Sequence, residues 1–259
     1  MGSPPKKLGE SMKTLAIYNV KGGVGKTAAS VNLAYFAAAS GVKTLVWDLD
    51  SQAAASWYLH GEPAEAKTKK VLAGETPVGR LVKRTPYEKL DVIPADFSYR
   101  YLDIMLKKVE PPREALRRLL KPFSETYALA VLDCPPSLSH LADNVFTAAD
   151  LVLVPVVPTW LSLRAYEQLR DHFKAEGFPV KKLRPFYSMA DRRRGLHREL
   201  LETPPELMQP RMESVVPYSS SVERMGERRA PVAAFAGSDD AALIAYAELW
   251  IETGKVLGM

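Results

Sequence analysis

Short apolar runs alternate along this chain with longer stretches whose apolar residues recur at three- and four-residue spacing. The runs at 14–19, 42–47, 90–94, 127–132, 151–156, 184–189 and 214–216 predict strands. Between them, helical spacing begins near Ala28 and recurs at 53–59, weakly at 77–82, and at 99–109, 113–120, 138–149, 162–176 and 196–201. Pro111-Pro112 separates two of these segments as a stop-and-start signal, and Gly177 stands just beyond 162–176 as a terminator. Ser238 reads as the cap of a last helix, with Asp239 and Asp240 in its first turn and an end near Thr253. Residues 62–70 are polar and loop-like. Strands that are apolar on both faces and alternate with helices predict a single-domain α/β fold, a mostly parallel twisted sheet with helices on both faces.

The 259 residues, 47% hydrophobic and 25% charged, suffice for one sizeable core and suit one domain better than two. No run of about 18 apolar residues is present, so no membrane-spanning helix is expected. Residues 1–11 are polar, contain proline and lysine and lack the form of a signal peptide. They are expected to be a disordered leader or an expression tag, with the domain proper at 12–259. The single cysteine, Cys134, excludes a disulfide framework and a cysteine metal site, and with the missing signals predicts a cytoplasmic protein. The four histidines, His60, His140, His172 and His197, show no metal-ligand spacing and read as structural or surface residues. Trp47, Trp57 and Trp160 are expected in the core or at an interface.

The net charge of +5 permits a polyanionic partner without requiring one. Its distribution says more: residues 181–229 hold eleven Lys/Arg against seven Asp/Glu. The density peaks at Arg192-Arg193-Arg194 and Arg228-Arg229. Each of these residues reads either as part of a solvated charged surface or as a contact to a polyanion, and Arg192, Arg194, Arg224, Arg228 and Arg229 are the candidates for contact to DNA phosphates.

The chemistry concentrates in Lys21-Gly22-Gly23-Val24-Gly25-Lys26-Thr27, which follows the first strand and runs into the helix near Ala28. Strand, glycine loop, helix is the setting of a phosphate-binding loop. Glycines let the backbone wrap a polyphosphate with its N–H groups inward, and the helix presents its positive end to the same anion. Lys26 can reach the terminal phosphates, and the Thr27 hydroxyl can ligate Mg²⁺. Asp48 and Asp50 close the second strand, two positions apart and so on one side of an extended segment. The run 128–132 ends in Asp133, the form of a carboxylate that holds Mg²⁺ through water.

The loop departs from the G-x-x-x-x-G-K-[ST] pattern, because Val20 stands where glycine is usual and Lys21 adds a second lysine. In this it resembles the deviant Walker A loop of the ParA/MinD family of ATPases, closest to the ParA-type partition and positioning ATPases. The resemblance extends over about residues 13–252 with three motifs in order. It implies ATP and Mg²⁺ as cofactors and Mg²⁺-dependent hydrolysis. Lys21 is implied to act on the nucleotide of a partner subunit in an ATP-dependent homodimer. Asp48-Leu49-Asp50-Ser51-Gln52 resembles the family's D-x-D-P-Q, with Ser51 in place of proline. By that match Asp48 lies near the metal and Asp50 orients the attacking water. Asp133-Cys134-Pro135-Pro136 resembles its D-x-P-P. Met189, Asp191 and Arg193 match a base-side segment in which Ser188 and Ala190 replace the usual residues, and Pro217 matches a second. The implied nucleotide contacts are therefore Lys21, Gly22, Gly23, Val24, Gly25, Lys26, Thr27, Ala28, Met189, Arg193 and Pro217, and the implied metal residues Thr27, Asp48 and Asp133.

Such a protein is expected to bind the nucleoid non-specifically as an ATP dimer. It would position a plasmid, chromosome or protein cargo such as a carboxysome, and be released by a ParB-like or adaptor protein that stimulates hydrolysis. A MinD-like membrane ATPase is the alternative, and the tail 253–259, with one lysine and little apolar area, argues against it. An iron–sulfur electron carrier lacks its cysteines, and a cobyrinate-synthase-like ligase is expected to need an attached glutaminase domain that 259 residues do not accommodate.

Overall fold

The structure is a computed structural model and describes residues 11–59, 70–71, 75–95, 97–107 and 110–259. The leader (apart from Ser11), nearly all of the loop at 62–70, the end of the segment at 99–109, and His60 lie outside the described residues. Among the described residues eight strands form one sheet: β1 (Lys13–Ile17), β2 (Thr44–Asp48), β3 (Lys83–Arg84), β4 (Leu90–Ile93), β5 (Leu129–Asp133), β6 (Leu151–Val156), β7 (Leu183–Ala190) and β8 (Val215–Pro217). Their order is β3-β4-β2-β5-β1-β6-β7-β8. Every neighbouring pair is parallel except β3–β4 at one edge.

The helices are α1 (Lys26–Ala39), α2 (Ala54–Leu59), α3 (Leu102–Leu106), α4 (Ala115–Leu120), α5 (His140–Ala148), α6 (Trp160–Ala175), α7 (Gly195–Glu202), α8 (Ser220–Glu223), α9 (Met225–Arg228) and α10 (Ala241–Leu257). Strand alternation divides the core into two layers. Leu15 and Ile17 of β1 join Leu33 and Ala37 of α1 and Leu249 of α10 on one face. Ala16 and Tyr18 join Val145 and Phe146 of α5 and Leu169 and Phe173 of α6 on the other. The sheet is therefore covered on both sides, as the continuous apolar runs predict.

Four details differ from the sequence expectation. The segment at 77–82 is a 3₁₀ turn, Val78–Leu81, followed by the short antiparallel strand β3. Phe97–Tyr101 is 3₁₀ before α3 begins. The last helix is capped by Asp240, whose carboxylate accepts from the Ala242 and Leu243 N–H groups, and not by Ser238. It runs on past Thr253 to Leu257, where Gly258 stops it at φ 72°. Of the tryptophans expected in the core or at an interface, Trp47 is in the core and donates to Tyr99 Oη at 3.2 Å, and Trp57 and Trp160 are exposed on the single chain.

Candidate functional site

The register brings three strand ends to one edge of the sheet. Ile17 and Asp48 both pair with Asp133 across β5, so the loop after β1, the turn after β2 and the end of β5 converge at the carboxyl edge. The strand order changes direction around β1, the position where open α/β sheets bind ligands.

The loop from β1 to α1 is pinned at its front by Asn19, a buried residue that the sequence reading missed. Its amide donates to the Pro155 carbonyl of β6 at 2.8 Å, and its oxygen accepts from the Lys21 N–H at 2.9 Å. Gly23 and Gly25 have φ of 68° and 91°, a region that side chains disfavour. A Cβ on Gly25 would also fall 2.8 Å from Ser188 Oγ. Val24 is buried beneath the loop, while Gly22 and Gly23 face solvent. The first-turn N–H groups of α1 lack helical partners by construction and face the space above the loop.

Lys26 is the first residue of α1 and is buried, with its ammonium donating to the Lys21 carbonyl at 3.0 Å. Burial pulls its pKa down, opposed by the charges of Asp133 and Asp50. Lys21 is half-buried, and its ammonium donates to Ser162 Oγ in the first turn of α6 at 3.3 Å.

Asp133 is fully buried at the end of β5. Its Oδ1 accepts from Ser30 Oγ at 2.8 Å, one turn beyond Lys26 in α1. Its Oδ2 has no hydrogen-bond partner among the described residues. Burial and the neighbouring Asp48 raise its pKa, partly offset by Ser30, Thr27 and Lys26. An orphaned buried carboxylate oxygen beside Thr27 and a phosphate loop fits a hydrated divalent cation held chiefly by nucleotide phosphates. Among the described residues no group of three or more His, Cys, Asp or Glu forms a metal cage of its own, which agrees with that mode.

Asp48 pairs in register with Asp133 and is hydrogen-bonded to the turn and helix that follow it. Its Oδ2 accepts from the Ser56 N–H at 2.8 Å and the Ser56 hydroxyl at 2.6 Å, and its Oδ1 from the Asp50 N–H at 3.1 Å. Both oxygens are occupied in holding α2 and the turn that carries Asp50. Asp50 lies past the end of β2, so the same-side rule for extended residues does not extend to it. It is half-exposed, and its Oδ1 accepts from the Gln52 N–H at 2.9 Å.

The base-side segments meet beside the loop. Ser188 approaches Gly25, Met189 takes φ 55°, and Ala190 pairs with Pro217. Asp191 accepts from Arg193 N, Nε and Nη2, which hold its carboxyl down at about 2. Buried His197 accepts from the Asp191 N–H at 3.0 Å and thereby fixes the turn. Arg193 is thus ion-paired within its own turn. Ala28 and Thr27 lie in the first turn of α1.

Arg192, Arg194, Arg224, Arg228 and Arg229 are all exposed, after the ends of the adjacent strands β7 and β8. Arg194 approaches Asp191 Oδ2 at 3.7 Å and Arg228 approaches Glu227 at 3.8 Å. Arg229, at φ 51°, lies 4.0 Å over the Trp57 ring. Asn32 of α1 donates to Met225 Sδ and accepts from the Val232 N–H, so the segment bearing Arg224, Arg228 and Arg229 is fastened to the loop helix. Asn19, Ser30, Ser56, Asn32 and Ser162 are the positioning residues that sequence reasoning missed. Only Ser30, four residues beyond Lys26 on the same helix face, had a local signal.

Loop, orphaned carboxylate and strand order together define a P-loop nucleotide-binding α/β protein. The chain belongs to the AAA_31 family of AAA domains, whose model matches residues 12–176. It is 37% identical to the sporulation initiation inhibitor protein Soj of Bacillus subtilis over 159 residues, 61% of this chain and 63% of that protein. It is 38% identical to the chromosome partitioning protein ParA of Caulobacter vibrioides over 162 residues, 61% of each. The match thus spans less than two thirds of the length of these relatives. Among solved structures, cobyrinic acid a,c-diamide synthase from Mycobacterium smegmatis with bound ATP analog and magnesium superposes at a TM-score of 0.76 and 25% identity, over 96% of this chain and 97% of that one. The ParA resemblance carried by the loop is borne out, as is the α/β fold. Chain length does not separate this protein from the synthase, contrary to the expectation drawn from a missing glutaminase domain.

Proposed function

We propose that this protein is a Mg²⁺-dependent ATPase that dimerises on ATP, binds duplex DNA without sequence preference, and positions a cargo through a partner that stimulates hydrolysis. The observation that carries the reading is the second lysine at the front of the loop, clamped by Asn19 and free of any anionic partner among the described residues. The likeness to Soj and ParA supports it.

In this reading the loop N–H groups and Lys26 bind the β- and γ-phosphates. Mg²⁺, held by Thr27 and Asp133 Oδ2, would neutralise phosphate charge. Asp48 positions the turn, and Asp50 orients water on its exposed side. Lys21 of one subunit reaches the phosphates of the other, so ATP couples two copies and hydrolysis releases them. Arg192, Arg194, Arg224, Arg228 and Arg229 follow the strand ends beside the nucleotide edge, where pairing two copies would extend them into a longer basic stripe. Nucleoid association in the cytoplasm follows from such contacts. Among the described residues no helix is long and apolar enough to cross a membrane, and the reading needs none.

The test is binding to non-specific duplex DNA with ATP, ADP or no nucleotide at two salt concentrations. Binding only with ATP, weakening steeply with salt, supports the reading. Hydrolysis without DNA binding in any state removes the DNA arm. ATP turnover that occurs only with a carboxylate substrate and an amino donor, and that amidates the carboxylate, favours the synthase-like alternative.

A further inference from the structure

The front lysine has a parking place inside its own chain. Lys21 Nζ donates to Ser162 Oγ at 3.3 Å. Ser162 is fully buried in the first turn of α6. Its hydroxyl also accepts from Thr159 Oγ1 at 3.2 Å, while Thr159, the N-cap of α6, accepts from the Ser162 N–H at 3.4 Å. The acceptor for Lys21 is therefore a hydroxyl held in place by a helix cap.

The strength of this hold is its point. A carboxylate at 162 would fix the ammonium as a desolvated ion pair, and an apolar residue would leave it loose. One neutral acceptor keeps Lys21 directed, and among the described residues its ammonium makes no other hydrogen bond. The main chain of Lys21 is fixed independently, by Asn19 at the N–H and by Lys26 at the carbonyl. Only the side chain can swing. Next to Ser162 on the same turn, Trp160 and Leu161 are exposed at 60% and 71%, so a protein surface seated there touches the turn that holds Lys21.

We propose that Ser162, supported by Thr159, is a positioning residue that parks Lys21 in cis in the nucleotide-free chain and must release it before Lys21 reaches a second copy. The release step rests on the dimer reading above; the parking does not. Two such contacts break for each dimer formed, one per chain. At about fivefold each, the value of an ordinary hydrogen bond, removing both favours the ATP dimer by roughly 25-fold.

The experiment compares wild type, Ser162→Ala and Ser162→Thr in two assays. In the nucleotide-free chain, acylation of Lys21 by an amine-reactive reagent, followed by peptide mass spectrometry, is expected to run about fivefold faster in Ser162→Ala and near wild-type rate in Ser162→Thr. With ATP and Mg²⁺, sedimentation is expected to show Ser162→Ala dimerising at lower protein concentration. Equal Lys21 labelling in wild type and Ser162→Ala overturns the parking. Equal dimerisation of the two, in a wild type that does dimerise, overturns the release step. A wild type that stays monomeric with ATP refutes the dimer reading instead, and the labelling still decides whether Ser162 parks Lys21.

Discussion

Replacing Asn19 by alanine removes a side chain that ties the front of the loop to the sheet. Asn19 is buried, and both ends of its amide are in use, toward the Pro155 carbonyl and the Lys21 N–H. Two hydrogen bonds at about 1 kcal/mol each, with a further 1–2 kcal/mol for leaving the Pro155 carbonyl unpaired, give a loss of about 3–4 kcal/mol. In a protein of this size that lowers the melting temperature by about 5–15 °C. The loss reaches function through Lys21, whose N–H is no longer fixed and whose carbonyl is the acceptor for Lys26. Titration of the variant with a fluorescent ATP analogue below its melting temperature is therefore expected to show weakened affinity. Asn19→Asp separates the two effects. It keeps an acceptor for Lys21 but sets a negative charge against the Pro155 carbonyl and beside the phosphate space, so it loses more affinity than Asn19→Ala. Wild-type melting and wild-type affinity in Asn19→Ala would refute the clamp.

Three other outcomes follow from the same geometry. Asp48 and Asp133 are buried with pKa values raised from 3.8, by burial first in both cases, so the folded state holds protons that the unfolded state has released. Stability of the nucleotide-free protein is therefore expected to fall as pH rises from about 4 toward neutrality, and thermal melts that instead climb steadily to pH 8 contradict the raised values. Gly25→Ala places a Cβ at φ 91° and 2.8 Å from Ser188 Oγ, so nucleotide titration is expected to show affinity lost by about 5- to 30-fold, as a strain of 1–2 kcal/mol implies. Arg224→Ala with Arg228→Ala is expected to weaken ATP-dependent DNA binding equally across sequences and flatten its salt dependence, while ATP turnover without DNA stays unchanged.

The phosphate loop was legible because its demands are local. Gly23 and Gly25 meet a backbone requirement written into a seven-residue window, and Asp133 marks the end of an apolar strand. The layers of the fold were legible for the same reason, since the runs at 14–19 and 128–132 could only be buried strands. What escaped depends on distant partners. Asn19 acts on Pro155 and Ser30 on Asp133, each more than a hundred residues away, and neither leaves a periodic trace. The bonds of Asp48 to Ser56, which fasten α2 to the end of β2, leave no such trace either. β3 has two residues, and α8 and α9 four each, too few for any period to register. The basic segments read as free charge, yet Arg193 is bound by Asp191 and Arg229 covers Trp57.

The central claim is that Lys21 completes the site of a second copy. The most direct measurement mixes two inactive variants, Lys21→Ala and Asp50→Ala, and follows ATP hydrolysis. In a mixed dimer the Lys21→Ala subunit keeps its own Asp50 and receives Lys21 from its neighbour, restoring one of two sites. Random pairing at equal amounts in a two-fold dimer predicts about a quarter of wild-type turnover. A mixture as inactive as its components would contradict the account, because Lys21 would then serve only its own chain.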